Sequence, residues 1–301
     1  MSSVNKTSLR SVDYNGHILI TGLARNCACT IKNEVNTISA AFSNFSNVDW
    51  LIVESDSSDS TVEKLEEIRK EKSGFRYISC GVLEDKMPLR TQRISFCRNQ
   101  YLYELHKNSI YKEVRYLAVV DLDGVNKELT KEGVESCWDR QDWAACSANQ
   151  SKFYYDIFAL RHDLWSPNNA FSQQLFFEKY GVSKFRSFLM SINFRMIHIP
   201  SNSEWIEVDS AFGGMAIYKV EFIQNAKYDF SNCGGVETCE HVAFNKSIRS
   251  NQGKIFINPK LVNCSYNEHS KYARPLVGLL RLWLRFFVKV LFIKLKKLRT
   301  W

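Results

Sequence analysis

The sequence predicts an α/β fold, a mostly parallel sheet with helices on both faces, followed by a separate C-terminal amphipathic helix. Three observations lead there. Short apolar runs that end in polar clusters alternate with segments of helical period over the first 120 residues, the pattern of a parallel, doubly wound sheet. A chain of 301 residues with 45% hydrophobic content is too apolar for disorder and long enough for one large domain. The basic residues are also unevenly placed, which sets the last segment apart.

The elements follow in order. Residues 17–23 (HILITGL) form a buried strand ending in a Gly-containing turn, and a helix runs on through Ile38 and Phe42. Residues 48–54 (VDWLIVE) make a second strand, closed by the polar stretch 55–59. Ser60 and Glu63 have capping-box spacing and start a helix to about Lys72. Residues 75–79 are a short third strand, 91–105 a helix, and 116–120 (YLAVV) a fourth strand that runs straight into Asp121. Beyond it the pattern is mixed: a strand at 143–147, a long aromatic helix at 170–190 and an extended stretch at 194–199. An apolar run at 212–220 contains the pair Gly213-Gly214; a helix at 240–250 and a strand at 254–257 complete the body. The division expected is a flexible 1–15, a domain over 16–274 with halves 16–123 and 124–274, and a tail at 275–301.

The formal net charge of +8 by itself points to nucleic acid or an anionic surface. Its distribution excludes nucleic acid. From position 271 to the end there are nine Lys/Arg and no acids, which leaves 31 basic against 32 acidic residues in the body. The polar N-terminus carries no leader-like apolar core, so a cytoplasmic protein is expected. Nine cysteines without paired CxxC motifs read as reduced, buried small hydrophobes rather than a zinc site. The sequons at Asn5, Asn44, Asn149, Asn245 and Asn263 are then a matter of composition.

The most informative feature is Asp121-Leu122-Asp123-Gly124 at a strand end. Carboxylates at i and i+2 can both turn toward one hard cation, and Mg²⁺ or Mn²⁺ accepts one or two such oxygens together with diphosphate oxygens. An acidic turn is the ordinary alternative. In open α/β sheets ligands sit at the carboxyl ends of strands, and the polar clusters after strands one, two and four all fall there. Two enzyme classes use this string. In the haloacid-dehalogenase type of phosphatase, VVDLDGV would make Asp121 a phosphorylated nucleophile. Those chains carry the motif on their first strand, whereas three strand–helix units precede it here.

The second class fits better. Over about 16–275 the chain resembles the metal-dependent nucleotide-sugar glycosyltransferases of the GT-A (Rossmann-like) fold. The resemblance is carried by GLARN at 22–26, ESDSSDST at 54–61, the acidic motif after the fourth strand, and SAFGG at 210–214. The segment YYDIFALR at 154–161 is similar to one in the fungal capsule-related α-1,3-mannosyltransferases. The resemblance implies a nucleotide-diphosphate sugar donor, possibly of mannose, a glycan or lipid-linked acceptor, and Mn²⁺ or Mg²⁺ on Asp121 and Asp123. It implies donor contacts from Arg25, Asn26, Glu54, Asp56, Arg93, Arg98, Leu122, Asp156, Arg161, Gly213 and Gly214. Each has a plainer reading as a turn, cap, salt bridge or solvated helix residue. Glu240, at a helix start, is the candidate base for the acceptor hydroxyl; its alternative is an acidic residue favoured by the helix dipole. Asp209 is a second candidate there, His269 a candidate third metal ligand, and His241 a weaker one. A catalytically inactive scaffold of the same fold is the non-enzymatic alternative.

In the tail, 276–293 is largely apolar, but Arg281, Arg285 and Lys289 fall within about 80° of one another on a helix. Three cations at roughly 2.5 to 3.5 kcal/mol each at a bilayer centre argue against a spanning helix. An in-plane helix on an anionic membrane fits, with about 1 kcal/mol per nearby basic residue; a helix packed on the domain or on a partner is the alternative. The expected setting is therefore peripheral, on the cytoplasmic face of a membrane, in the assembly of a surface polysaccharide or glycolipid.

Overall fold

A computed structural model describes residues 16–233 and 236–270, with 273, 280, 283–285 and 287–288 beyond them. The expected segment 1–15 and most of the tail lie outside the described residues. The first half consists of β1 (His17–Ala24), α1 (Ile31–Ala41), β2 (Asn47–Glu54), α2 (Thr61–Glu71), β3 (Phe75–Ser79), α3 (Arg90–Lys107) and β4 (Val114–Asp121). The second half has α4 (Lys131–Glu135), β5 (Ala145–Gln150), α5 (Ala170–Lys179), α6 (Lys184–Ser191), β6 (Ile206–Val208) and β7 (Met215–Lys219). The short pair β8 (Asn232–Cys233) and β9 (Val236–Glu237), α7 (Glu240–Ser250) and β10 (Ile255–Cys264) complete it.

Eight strands form one sheet in the order β3-β2-β1-β4-β7-β5-β10-β6. The first four are mutually parallel, β7 is antiparallel to both its neighbours, β5 and β10 are parallel, and β6 closes the edge antiparallel. This is the mostly parallel α/β arrangement that the sequence predicts. Side chains alternate across each strand, so β1 sends Ile18 and Ile20 to a core shared with Ile31, Val35, Ile38, Leu65 and Ile68 of α1 and α2. Leu19 goes to the opposite core, with Cys97, Tyr101, Leu102 and Leu105 of α3 and Phe244 and Ile248 of α7. Helices thus cover both faces. The register aligns Ala24 with Glu54, Glu54 with Ser79 and Leu23 with Asp121, so the four parallel strands end on one edge.

Four local expectations change. Ser60 makes no capping hydrogen bond; Asp59 instead accepts from Thr61 N at 3.0 Å and from Ala28 N at 3.1 Å, bridging the loops after β1 and β2. The long aromatic helix is two helices, α5 and α6, broken at Gly181 with φ +88°, the left-handed turn that ends many helices. The stretch at 194–199 is no strand: residues 193–195 form a 3₁₀ turn, and Ile197 and Ile199 only lend carbonyls to Tyr154 N and Asn149 Nδ2. The last strand continues to Cys264. The eight described cysteines are free, six of them buried. Asn149, Asn245 and Asn263 are buried and hydrogen-bonded inside the fold, where no glycan fits.

Candidate active site

The parallel strand ends open on a cleft of about 920 Å³ lined by the loops after β1, β2 and β4, one face of α3, the start of α7 and the α5–α6 pair. Arg25, Asp56, Arg93, Arg98, Asp121, Leu122, Asp123, Asp156, Glu240, His241 and His269 all line it. The chain brings these together from seven segments spread over 245 positions, Arg25 to His269.

Arg98 sits at the centre. Its Nε donates to Glu240 Oε1 at 3.0 Å and its second terminal nitrogen lies 3.5 Å from Asp121 Oδ1. The guanidinium carbon stands 5.2 Å from the Phe212 ring centroid and 5.5 Å from that of Tyr228, favourable faces for a desolvated cation. Burial pushes the Asp121 carboxyl up to about 7; Arg98 pulls it back, while Asp123, Asp156 and Glu240 add to the rise. Still, 37% of the Asp121 side chain faces the open cleft. Burial raises Asp123 as well, offset in part by its own backbone N–H, His269 and Arg90. The site is therefore a set of crowded carboxylates with buried Arg98 as counter-charge to Asp121 and Glu240.

This donor set suits a hard divalent cation, which takes carboxylate oxygens and relieves their mutual repulsion. Asp121 and Asp123 are the residues to hold it. Among the described residues no group of three or more His, Cys, Asp or Glu side chains has metal-holding spacing. His269, the expected third ligand, lines the same cleft and stacks on Tyr155, ring centroids 5.6 Å apart. His241 also lines the cleft. It lies against Phe212 at 3.9 Å, both ring nitrogens are buried without hydrogen-bond partners, and burial followed by Arg98 holds it well below the usual histidine range.

Several expected donor contacts serve the loops instead. Glu54 is 2% exposed and turns inward, accepting from Ser57 N and the Ser79 hydroxyl. Asn26 adopts φ +50° and accepts from Ser58 N at 2.7 Å, a turn asparagine outside the cleft lining. Asp56 reaches the cleft, but its Oδ1 accepts from Leu83 N and Glu84 N. Burial opposes its ionisation; these amides, Ser55 and Arg93 outweigh that and lower its pKa. Arg93 donates to the carbonyls of Met87 and Pro88, and Arg25 holds Asp56 O and Glu84. Arg161 spends its guanidinium on the carbonyls of Phe158 and Leu160 away from the cleft. Asp209 is also outside it, paired with Arg249 of α7 at 3.3 Å. Within the segment 154–161, Asp156 faces the cleft while its carboxylate receives Gly213 N at 2.9 Å and Ala159 N at 3.3 Å.

Gly213 and Gly214 do not line the cleft; they set its floor. Their φ values are +70° and +82°, and a Cβ would stand 2.5 Å from Ala148 O or 2.6 Å from the Tyr155 hydroxyl. Gly214 O receives Asp121 N at 2.9 Å, so this turn fixes the acidic motif from below. Glu34 and Asn126 do the same from the other side. Asn126 Nδ2 donates to Glu34 Oε2 at 2.9 Å and to Asp121 O at 2.6 Å.

The sequence reading missed Arg90, Ile94 and Cys97, which share the cleft face of α3 with Arg93; the 3–4 residue spacing was the available signal. It also missed Phe158, Phe171, Gln174, Leu175, Phe188, Ile192 and Met196, a wall that long-range packing alone assembles.

Fold and site together describe an α/β protein with an acidic, arginine-bearing cleft at the ends of parallel strands. No protein-family model matches the chain, and no curated protein does. Among solved structures it is similar to residues 1–349 of TarS from S. aureus, at 11% identity over 88% of this chain and 64% of that one, TM-score 0.44. It is similar to the mannosyltransferase PcManGT from Pyrobaculum calidifontis, solved in complex with GDP-Man and Mn²⁺, at 10% identity over 91% and 65%, TM-score 0.46. A third is glucosyl-3-phosphoglycerate synthase from Mycobacterium tuberculosis, in complex with UDP, at 12% identity over 89% and 80%, TM-score 0.38. The chain spans somewhat under two thirds of the length of the first two. At these identities and scores, the functional reading rests on the residues of this chain.

Proposed function

We propose that this protein is a metal-dependent glycosyltransferase acting on a nucleotide-diphosphate sugar. The observation that carries the reading is the Asp121–Asp123 pair at the end of β4, with Asp121 3.5 Å from buried Arg98 and partly open to the cleft. Mn²⁺ or Mg²⁺ on these carboxylates supplies positive charge for the departing diphosphate. Arg98 holds Asp121 in place and adds fixed positive charge beside it, while Arg25 and Arg90 sit on the same wall. In the transfer, the acceptor oxygen bonds to the anomeric carbon, the bond from that carbon to the diphosphate oxygen breaks, and the nucleoside diphosphate leaves with the electron pair. Glu240, which lines the cleft beside Asp121 across Arg98, takes the acceptor proton. The resemblance of 154–161 to α-1,3-mannosyltransferases makes GDP-mannose the first donor to try.

The phosphatase alternative has less support: among the described residues the cationic groups of the cleft are arginines, and no lysine lines it. The tail is read as a peripheral membrane contact. Its described residues 280, 283–285 and 287–288 are helical. Leu280, Trp283, Leu284, Phe287 and Val288 are 45–60% exposed. Among the described residues no helix is long and apolar enough to cross a membrane.

The test is thermal stabilisation by a panel of nucleotide sugars with and without Mn²⁺, repeated on Asp123→Ala. The wild type should be stabilised by at least one donor only when Mn²⁺ is present, by about 2.7 kcal/mol at a hundredfold excess over Kd, and the variant should not respond. A wild type indifferent to every donor would refute both the transferase and its activity-bearing site.

A further inference from the structure

The cleft has two unlike walls. One carries the aspartates and arginines. The other is hydrocarbon: Phe158, Phe171, Leu175, Phe188, Ile192 and Met196, with Gln174 the single polar side chain contributed by α5 and α6. The second wall stays partly open to solvent: Leu175 and Phe171 line it yet remain 47% and 39% exposed. Of the ten residues of α5, Ala170 alone is buried. A helix with three Phe and a Leu normally turns them to the core; here Phe171 and Leu175 instead line the cleft and stay partly exposed.

The wall is also built to stay in place. Asn169 caps α5, accepting from Phe171 N, and its amide donates to Glu237 O at 3.2 Å. Buried Arg195 ties the base of the pair, donating to the Ser166 hydroxyl at 2.7 Å, to Asn168 and to Gln173. Ser187 of α6 donates to Glu178 of α5 at 3.2 Å.

We infer that this wall binds the hydrocarbon of the acceptor, so the acceptor is a lipid-linked amphiphile. Its hydroxyl head would meet Glu240, and its alkyl or isoprenoid chain would lie along the cleft face of α5, over Phe171 and Leu175. The inference rests on the transferase reading above. The wall's continuity with the carboxylates places its occupant among the reactants, and the donor's sugar and diphosphate belong on the polar side. A free glycan or a peptide segment there would leave its own hydrogen-bonding groups against hydrocarbon, which is unfavourable. An alkyl chain gains from the same surface. Lys179, Lys184 and Arg186 around the exposed end add positive charge that suits an anionic membrane from which such an acceptor would enter.

The test uses the full-length protein and a series of alkyl β-glucosides, methyl to octyl, titrated calorimetrically below their micelle concentrations. Affinity should rise about two- to fourfold per added methylene, fourfold corresponding to about 0.8 kcal/mol for a fully buried group. Leu175→Ser and Phe171→Ser alter exposed side chains and should weaken octyl glucoside about tenfold, read on variants whose unfolding midpoint matches the wild type. A flat chain-length series on a protein that still binds nucleotide sugar would overturn the lipid assignment and leave the transferase standing. Chain-length dependence without any nucleotide-sugar binding would remove the transferase reading and the acceptor role with it. A wild type that self-associates and becomes monomeric as Leu175→Ser would make the wall a protein interface, also overturning the inference.

Discussion

Replacing Arg98 by Met should destabilise the protein by about 3–5 kcal/mol, the usual consequence of removing one partner from a buried ion pair. The arginine and glutamate side chains are 5% and 6% exposed, 3.0 Å apart, and Asp121 lies a further 3.5 Å from the guanidinium. At an effective dielectric of about 20, each such contact is worth on the order of 5 kcal/mol. The desolvation of Arg98 opposes part of that gain. Met keeps most of the packing against Phe212 and Tyr228 but leaves two carboxylates without a counter-charge. For a domain of this size the loss corresponds to a midpoint lowered by roughly 10 °C. Urea unfolding in the absence of divalent cations measures it. Adding Glu240→Gln in the Arg98→Met background should restore at least about 1.5 kcal/mol, because it neutralises the carboxylate closest to the missing guanidinium. A single-variant loss below about 1 kcal/mol, or no recovery in the double variant, would refute the view that Arg98 is the counter-charge of the acidic cluster.

Glu34→Gln should become progressively more stable relative to the wild type as pH rises. Burial raises the Glu34 carboxyl above its usual value, against the hydrogen bond from Asn126, and Asp123 adds to the rise. Between the usual and the raised value the native protein holds a proton that the unfolded chain has lost, so wild-type stability falls through that window while the glutamine does not titrate. Thermal midpoints from pH 4 to 8 check this, and parallel curves for the two proteins would count against it. For the tail, Trp283→Ser combined with Phe287→Ser should lower co-sedimentation with vesicles containing phosphatidylglycerol by about tenfold or more, each aromatic contributing roughly 1.5–3 kcal/mol when buried. Unchanged sedimentation would mean these residues do not meet the bilayer.

The strand–helix alternation of the first 120 residues was legible because each buried strand is a short apolar run with a polar end, and alternation is a local property. Asp121 and Asp123 were legible for the same reason: an acidic pair directly after YLAVV announces its position at the open edge. Glu54 was not. Its place at a strand end matched the resemblance, but its carboxylate is claimed by Ser57 and Ser79, and Ser79 arrives through the pairing of β2 with β3. Asp209 was lost similarly, since Arg249 reaches it from α7.

The sequence by itself determined the layered α/β architecture, the acidic motif at a strand end and the separation of a neutral body from a basic tail. Each of these follows from residue types within a few positions of one another. The tertiary structure decided which groups share the cleft: Arg98 between Asp121 and Glu240, the glycine turn beneath the motif, and the hydrocarbon wall of α5 and α6. These depend on contacts between segments more than a hundred positions apart in several cases, and no local pattern encodes which side chain will be the counter-charge and which will be spent on a loop.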